Sequence, residues 1–369
     1  MIPQEVWQGW TEEVGRLVSG ATVWQQRGLA VFSLGMAAAQ RCGLARVATV
    51  VPGLATAPST TRRFERLLAN ERLDVRRARG AIGAAVLEQA RGQTVWLALD
   101  ETPQGHTVDG PRLVMLALRL VYRERAIPLA WACYRPGEAP APLPALVTTL
   151  VAEVAAWMPP RTRVVLMTDR GLSWPTLVDQ CRRVGWSFLL RVQRQTRVQT
   201  PDGRTQAIGD LAPRPGARWQ GHGCVFKDAG WRDVNVVAVW RRGNDQPWLL
   251  VTDLPPTWNR CTDYRHRMDE EESFRDDKSS GFDWDHSRVR DPAHMERLLL
   301  VFQLAVCFVL AQGTFVLTHG FRPVLERPDR RSLSVFSLGL RWLDHARTHF
   351  LRLSPHLRLT FPDPHKCVG

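Results

Sequence analysis

In the segment YRHRMDEEESFRDDK at positions 264–278, Tyr264, Arg267, Glu271 and Lys278 stand at offsets of 0, 3, 7 and 14. On a helix turning about 100° per residue, the four fall within an arc of roughly 60°. Apolar core residues normally take that spacing. A stripe of Tyr, Arg, Glu and Lys therefore predicts a face turned towards a charged ligand or a reacting centre. A solvated helix held by i,i+4 pairs such as Arg267 with Glu271 gives the same pattern. A metal site needs further carboxylates, displayed at strand ends where loops open. Asp100 closes the apolar run TVWLALD and Asp169 closes RVVLMTD, although strands also end in Asp for turn reasons. Glu101 competes with Asp100, and Glu270 and Glu272 compete with Glu271. Three such carboxylates are hard oxygen ligands for Mg²⁺ or Mn²⁺, and two ions about 3.5 to 4 Å apart serve in-line phosphoryl transfer. That chemistry requires neither Cys nor His, so His106, His266 and His286 are assigned no role.

The elements that must position these acids can be read from pattern. Up to about residue 90 the texture is helical, and APSTTRRFERLLANERLD predicts a helix capped near Ser59 and Thr60, with Arg62, Arg63 and Arg66 in its first two turns. From Thr94 three strand-like runs follow, TVWLALD, RLVMLALRLVY and AIPLAWACY. Next come a helix (LVTTLVAEVAAWM), the strand ending at Asp169, a helix (LSWPTLVDQCRRVG) and the strand WSFLLRVQ. This order predicts an α/β domain with a mixed sheet. Between about 193 and 256 the chain turns β-like, with RDVNVVAVW and PWLLVTD as its clearest strands, and reads as an insertion. Helical texture returns at about Trp258.

The 369 residues suggest two or three units with at least one sizeable core. Lys+Arg of 49 against Asp+Glu of 36 gives +13, a field that attracts polyanions, with nucleic acid as the leading partner. The arginines are scattered through every segment, which fits a long contact surface better than a short membrane-binding tail. Seven cysteines, Cys42, Cys133, Cys181, Cys224, Cys261, Cys307 and Cys367, form no CxxC pair and read as reduced thiols of a cytosolic protein. The N-terminus carries early acids and no secretion signal pattern. The stretch LLLVFQLAVCFVLA at 298–311, interrupted by Gln303, is short for a membrane span and predicts a buried helix.

The spacing Tyr, two residues, Arg, three residues, Glu, six residues, Lys resembles the Y-R-E-K signature of the insertion sequence four family of DDE transposases. The flanking EESFRDDKS and SRVRDPAHMERLLL, and the Asp-x-Thr and Asp-Arg-Gly contexts at Asp100 and Asp169, are similar to that family as well. The resemblance implies an RNase H-like catalytic core at 91–192 and 256–320, a β-strand insertion at 193–255, a helical region at 1–90 that binds transposon ends, and a C-terminal region at 321–369. It implies a DNA transposase in which Asp100, Asp169 and Glu271 hold two Mg²⁺ or Mn²⁺ ions. Tyr264, Arg267, Lys278 and the N-terminal Arg62, Arg63 and Arg66 would engage DNA. Trp248 would stack on a base flipped from the duplex, although Met268 stands where hairpin-forming members carry an aromatic. The expected partners are terminal inverted repeats and target DNA, bound by a homodimer in the bacterial cytosol. The rival expectations are a catalytically silent DNA-binding descendant and an RNase H-like nuclease that cuts without joining.

Overall fold

The computed structural model describes residues 2–53, 55–107, 110–123, 125–267, 282, 287–327, 329, 331–349 and 351–361. Five helices come first: α1 (Gln4–Leu17), α2 (Val23–Ala39), α3 (Leu44–Ala48), α4 (Ala57–Leu68) and α5 (Val75–Glu88). Their starts follow capping chemistry. The Thr22 hydroxyl accepts the Gln25 N–H while the Gln25 side chain accepts the Thr22 N–H, and Asp74 accepts the Arg77 N–H at 2.9 Å. The cap of α4 is Thr56, not Ser59 or Thr60: the Thr56 hydroxyl accepts the Ser59 N–H, and Pro58 sits in the first turn, where its missing N–H costs nothing. Arg62 and Arg63 consequently fall in the second turn and Arg66 in the third.

The strands are β1 (Thr94–Thr107), β2 (Gly110–Tyr122), β3 (Arg125–Tyr134), β4 (Arg163–Thr168) and β5 (Ser187–Arg191), with α6 (Leu143–Ala155) before β4 and α7 (Pro175–Val184) before β5. This is the order expected from the apolar runs. β1, β2 and β3 pair antiparallel, while β4 is parallel to β1 and β5 parallel to β4, giving the spatial order 3-2-1-4-5. The β-like stretch that follows contributes β6 (Arg197–Gln199), β7 (Thr205–Ala207), β8 (Arg218–Val225), β9 (Arg232–Val239) and β10 (Trp248–Thr252). These strands extend the same sheet: β10 pairs antiparallel with β5, and β9, β8, β6 and β7 continue outward in that order.

After α8 (Asn259–Asp263) comes α9 (Pro292–Thr318), followed by α10 (Arg322–Leu325) and α11 (Val335–His349). α9 exceeds the expected apolar stretch by six residues at one end and seven at the other. Its length and apolarity would suffice to cross a membrane, but 94% of its most apolar window is buried inside this protein. Gln303, which interrupts the apolar run, donates from its side-chain amide to the Pro128 carbonyl at 2.8 Å, and the Glu296 carboxylate accepts the Cys133 N–H. Both partners lie on β3, the edge strand of the sheet. α9 therefore covers an edge that would otherwise expose unpaired backbone groups, which explains why β3 is apolar on both faces. One large core joins α1 to α5, the sheet, α9 and α11. The six described cysteines are free thiols.

α5 is tied to α6 by a buried ion pair. The Arg79 guanidinium donates to Glu153 at 3.0 and 2.8 Å and also to the Trp131 carbonyl, with side chains 8% and 4% exposed. Removing one partner leaves the other charge buried and uncompensated. Glu153→Ala is expected to destabilise the fold by about 3–5 kcal/mol in urea titration, whereas an effect below about 1 kcal/mol would mean that the pair is solvated.

Candidate active site

Sheet register brings the two aspartates together. Leu99 on β1 and Thr168 on β4 are direct partners in the parallel ladder, about 4.8 Å apart in the pairing direction, and Asp100 and Asp169 each follow that pair by one residue. Asp100 does not end its strand. The β1–β4 ladder stops at Leu99, but β1 continues to Thr107 in a hairpin with β2, where Asp100 opposes Ala117. Asp100 therefore marks the point where the sheet splits and its β4 side opens.

Alternation along the strands puts Asp100 on the face that carries Trp96, Val165, Met167, Leu189 and Leu250, which form a second, smaller apolar cluster beneath α8. Glu101 points to the opposite face, where its carboxylate accepts the Tyr134 hydroxyl. Burial, and after it that bond, raise the Tyr134 pKa. Asp169 is set by its own turn: its Oδ1 accepts the Gly171 N–H at 2.8 Å, its carbonyl accepts the Ser173 hydroxyl at 2.7 Å, and the Thr168 and Ser173 hydroxyls share a hydrogen bond.

Two members of the polar stripe meet this sheet opening. Tyr264, which caps α8, is fully buried; its hydroxyl donates to the Thr168 carbonyl at 2.9 Å, and its ring meets Trp248 edge-on at 5.5 Å. The chain turns after Tyr264, with the Arg267 N–H on the Tyr264 carbonyl, and Arg267 reaches Asp100 Oδ1 at 3.4 Å. Thr102 donates to the other oxygen of Asp100 at 3.2 Å. Glu271, Lys278, Met268, Glu270, Glu272 and His286 lie outside the described residues. Trp248 is half-buried, its ring under the Arg241 guanidinium at 5.6 Å. His266 packs beside Trp96, and His106 has no described side chain.

Burial raises the pKa of Asp100; Arg267 opposes this, the Asp169 charge adds to it, and Thr102 and Arg119 act against it. A desolvated carboxylate beside a second carboxylate is an arrangement that a hard divalent cation would relieve, so these residues fit Mg²⁺ or Mn²⁺. Protons would compete with a metal held on Asp100, so Mn²⁺ affinity is expected to fall at a pH above the usual aspartate range. Arg267→Gln removes a cation that favours the ionised form and is expected to move this fall to still higher pH. Calorimetric Mn²⁺ titrations across pH measure the midpoint, and a downward movement would contradict the assignment.

Sequence pattern passes over Arg191. It stands one residue beyond the Thr168/Leu190 register pair, just as Asp169 does, and so belongs beside Asp169 on the same face. It is partly buried, donating to the Pro247 carbonyl at 3.4 Å. Burial lowers its pKa, with Tyr264 raising it, Arg170 and Arg267 lowering it, and Asp169 raising it. Arg267, buried, and Arg191, partly buried, thus place a cation on each side of the acid pair.

Arg62 and Arg66 lie elsewhere. They line a groove of about 1250 Å³ together with Arg46, Arg288 and Arg290, while Glu65 and Asp291 supply its acids. Arg63 is exposed on the same helix outside that lining. Asp291 accepts the His294 N–H as the cap of α9.

Residues 144–308 match the family model of the transposase DDE domain. The matched span takes in Asp169, Arg191, Trp248, Tyr264 and Arg267 and begins after β1, so Asp100 lies outside it. A search of curated proteins finds no match. The mixed sheet with its covering helices is consistent with an α/β nuclease-like transposase fold. The adjoining aspartates and the match together support a DDE transposase, a class of DNA-cleaving enzyme that generally uses divalent metal ions.

Proposed function

We propose that this chain cuts DNA at the ends of a mobile element and joins the freed ends to target DNA, with Asp100, Asp169 and Glu271 as its metal-binding acids. The observation that carries the reading is the register of Asp100 and Asp169 at the opening of two parallel strands, with Arg267 on Asp100 and Tyr264 beneath Asp169. The strand order 3-2-1-4-5, antiparallel over the first three strands and parallel over the last three, supports an RNase H-like core. Its extension from β5 through β10 to β7 supports a β insertion, and α1 to α5 a transposon-end-binding region.

Asp100 and Asp169, joined by Glu271, would hold Mg²⁺ or Mn²⁺, which supplies Lewis-acid activation of an attacking hydroxyl and stabilisation of the leaving oxygen. The protein's own part is positioning. Arg267 and Thr102 fix both oxygens of Asp100, Gly171 fixes one oxygen of Asp169, and Tyr264 ties the β4 end to α8. Arg191 and Lys278 would bind phosphate oxygens, and Trp248 would stack on an unstacked base. We place the chain in the cytosol, as a dimer on DNA. The reading is tested on duplex carrying the element's terminal repeats with Mg²⁺ or Mn²⁺. Nicks at the repeat end and a joined product support it; cutting without joining would make the protein a nuclease, and neither would sink it.

The arginine groove would seat duplex phosphates. Replacing Arg62 and Arg290 together by Ala should lower the salt slope of duplex binding by about 1.8 in log–log units, since each phosphate contact contributes roughly 0.9. An unchanged slope would remove the groove from the DNA path.

A further inference from the structure

The C-terminal segment LRLSPHLRLT at 351–360 alternates in type, and its extended path turns that alternation into two edges. Leu353, Leu357 and Leu359 are buried, whereas Arg352, His356 and Arg358 are exposed. The strap is held in place by backbone contacts from several elements. The Gln312 amide donates to the Ser354 carbonyl at 2.6 Å, the Leu357 N–H donates to Glu13, the Leu359 N–H donates to Gln89, and the Thr360 N–H donates to the Tyr122 hydroxyl.

Between this strap, the C-terminal half of α9 and α11 lies a cleft of about 1050 Å³. Its floor is aromatic. Phe321, partly exposed, stacks on the buried Trp342 at 5.1 Å with 16° between the planes, the exposed His319 is parallel to Phe321 within 4°, and the partly exposed Phe315 adjoins His319 at 4.1 Å. Every charged side chain among the residues lining it is basic: Arg352 and Arg358, with His319 and His356 able to join them. His356 also faces the buried Glu13 at 3.6 Å.

We propose that this cleft binds single-stranded nucleic acid, the aromatic floor taking an unstacked base and the basic strap the phosphates on either side of it. Aromatic planes serve any base because every base has a π-face, and they serve only bases that have left the duplex stack. The absence of acids among the lining residues selects an anionic occupant over a basic peptide. The cleft lies roughly 30 Å along α9 from the arginine groove at the start of that helix, at 1.5 Å per residue. It is therefore a second contact, separate from both the groove and the acid pair. It depends on nucleic-acid binding but not on cutting.

The test uses the full chain in EDTA, so that no strand is cut, and an oligothymidine carrying 5-iodouracil. Photocrosslinks mapped by mass spectrometry are expected at Phe321 or His319, aromatic rings of the floor with accessible surface. Phe321→Ala should weaken oligothymidine binding by about 5- to 150-fold, and Phe321→Trp should retain it. Arg352→Ala with Arg358→Ala, both at exposed positions, should lower the single-strand salt slope by about 1.4 while leaving duplex binding through the arginine groove unchanged. Crosslinks confined to other regions, or unchanged affinity and slope in both variants, would overturn the proposal. A shift in the sedimentation of the DNA-free double variant would overturn it too, since the cleft would then seat a second copy of the chain. Failure of metal-dependent cutting in a separate assay would refute the transposase reading and leave these outcomes unaffected.

Discussion

Alanine at Asp169 is expected to lower end cutting by about 10³-fold or more in either Mg²⁺ or Mn²⁺, as removal of a group that acts as part of a unit does. The side chain has two tasks, and they can be separated. Its Oδ1 accepts the Gly171 N–H and so shapes the turn after β4, and its charge faces Asp100. Asp169→Asn keeps an oxygen for the turn and discards the charge, so it should be as inactive as Asp169→Ala while melting like the parent. Asp100→Ala and Glu271→Ala should match it. Glu101→Ala should cut at close to the parent rate, because Glu101 leaves the acid face and is engaged by Tyr134. Single-turnover nicking of end-containing duplex measures all five variants. Retention of cutting within about 10-fold by Asp169→Asn would end the metal-ligand assignment, and inactivity of Glu101→Ala would mean that the wrong carboxylate of the 100–101 pair had been chosen.

The acid pair was legible in the sequence because its two signals are local: an apolar run ending in Asp, twice, with turn residues following. The end of β1 was not legible. After Asp100 the chain reads ETPQGHT, polar and rich in turn formers, yet it continues as strand through pairing with β2 up to Thr107 and Gly110. Pairing across a hairpin overrides the local preference. Arg191 was hidden for a related reason. An arginine closing the run SFLLR looks like the solvated end of a strand, and only the parallel register with β4 sets it beside Asp169. The same holds for the β10–β5 pairing, which joins Leu250 to Arg191 across nearly sixty residues and merges the apparent insertion into one sheet. The cap of α4 is displaced by a few residues from the hydroxyl-rich run PSTT at 58–61, because the hydroxyl used is that of Thr56, two residues before Pro58. Tyr264 and Arg267 face the sheet, as a polar stripe at core spacing suggests, but they do so from a short helix and a turn.

The crossing of α9 and α11 should tolerate no added carbon. A Cβ at Gly313 would stand 1.9 Å from the Val335 carbonyl oxygen, and one at Gly339 would stand 2.0 Å from the Val309 carbonyl oxygen. Both obstacles are backbone, so neither can turn aside as a side chain does, and the helices would have to move apart along their contact. Overpacking ordinarily costs about 1–3 kcal/mol when side chains can adjust. Here the cost is expected at or above the top of that range, with Tm falling by roughly 5–10 °C for either Gly313→Ala or Gly339→Ala. The two glycines sit on opposite sides of one crossing, so the double variant should fall short of the sum, because helices already separated by the first methyl admit the second. Thermal unfolding of the two single variants and the double variant decides this. Singles that melt within about 1 °C of the parent would show that α11 is not clamped on α9. The point bears on function because α9 runs from the arginine groove, past the edge strand it covers, to the aromatic cleft. Its seating fixes both proposed nucleic-acid surfaces relative to the sheet that carries Asp100 and Asp169, so Gly313→Ala should weaken duplex binding at temperatures well below its own melting point.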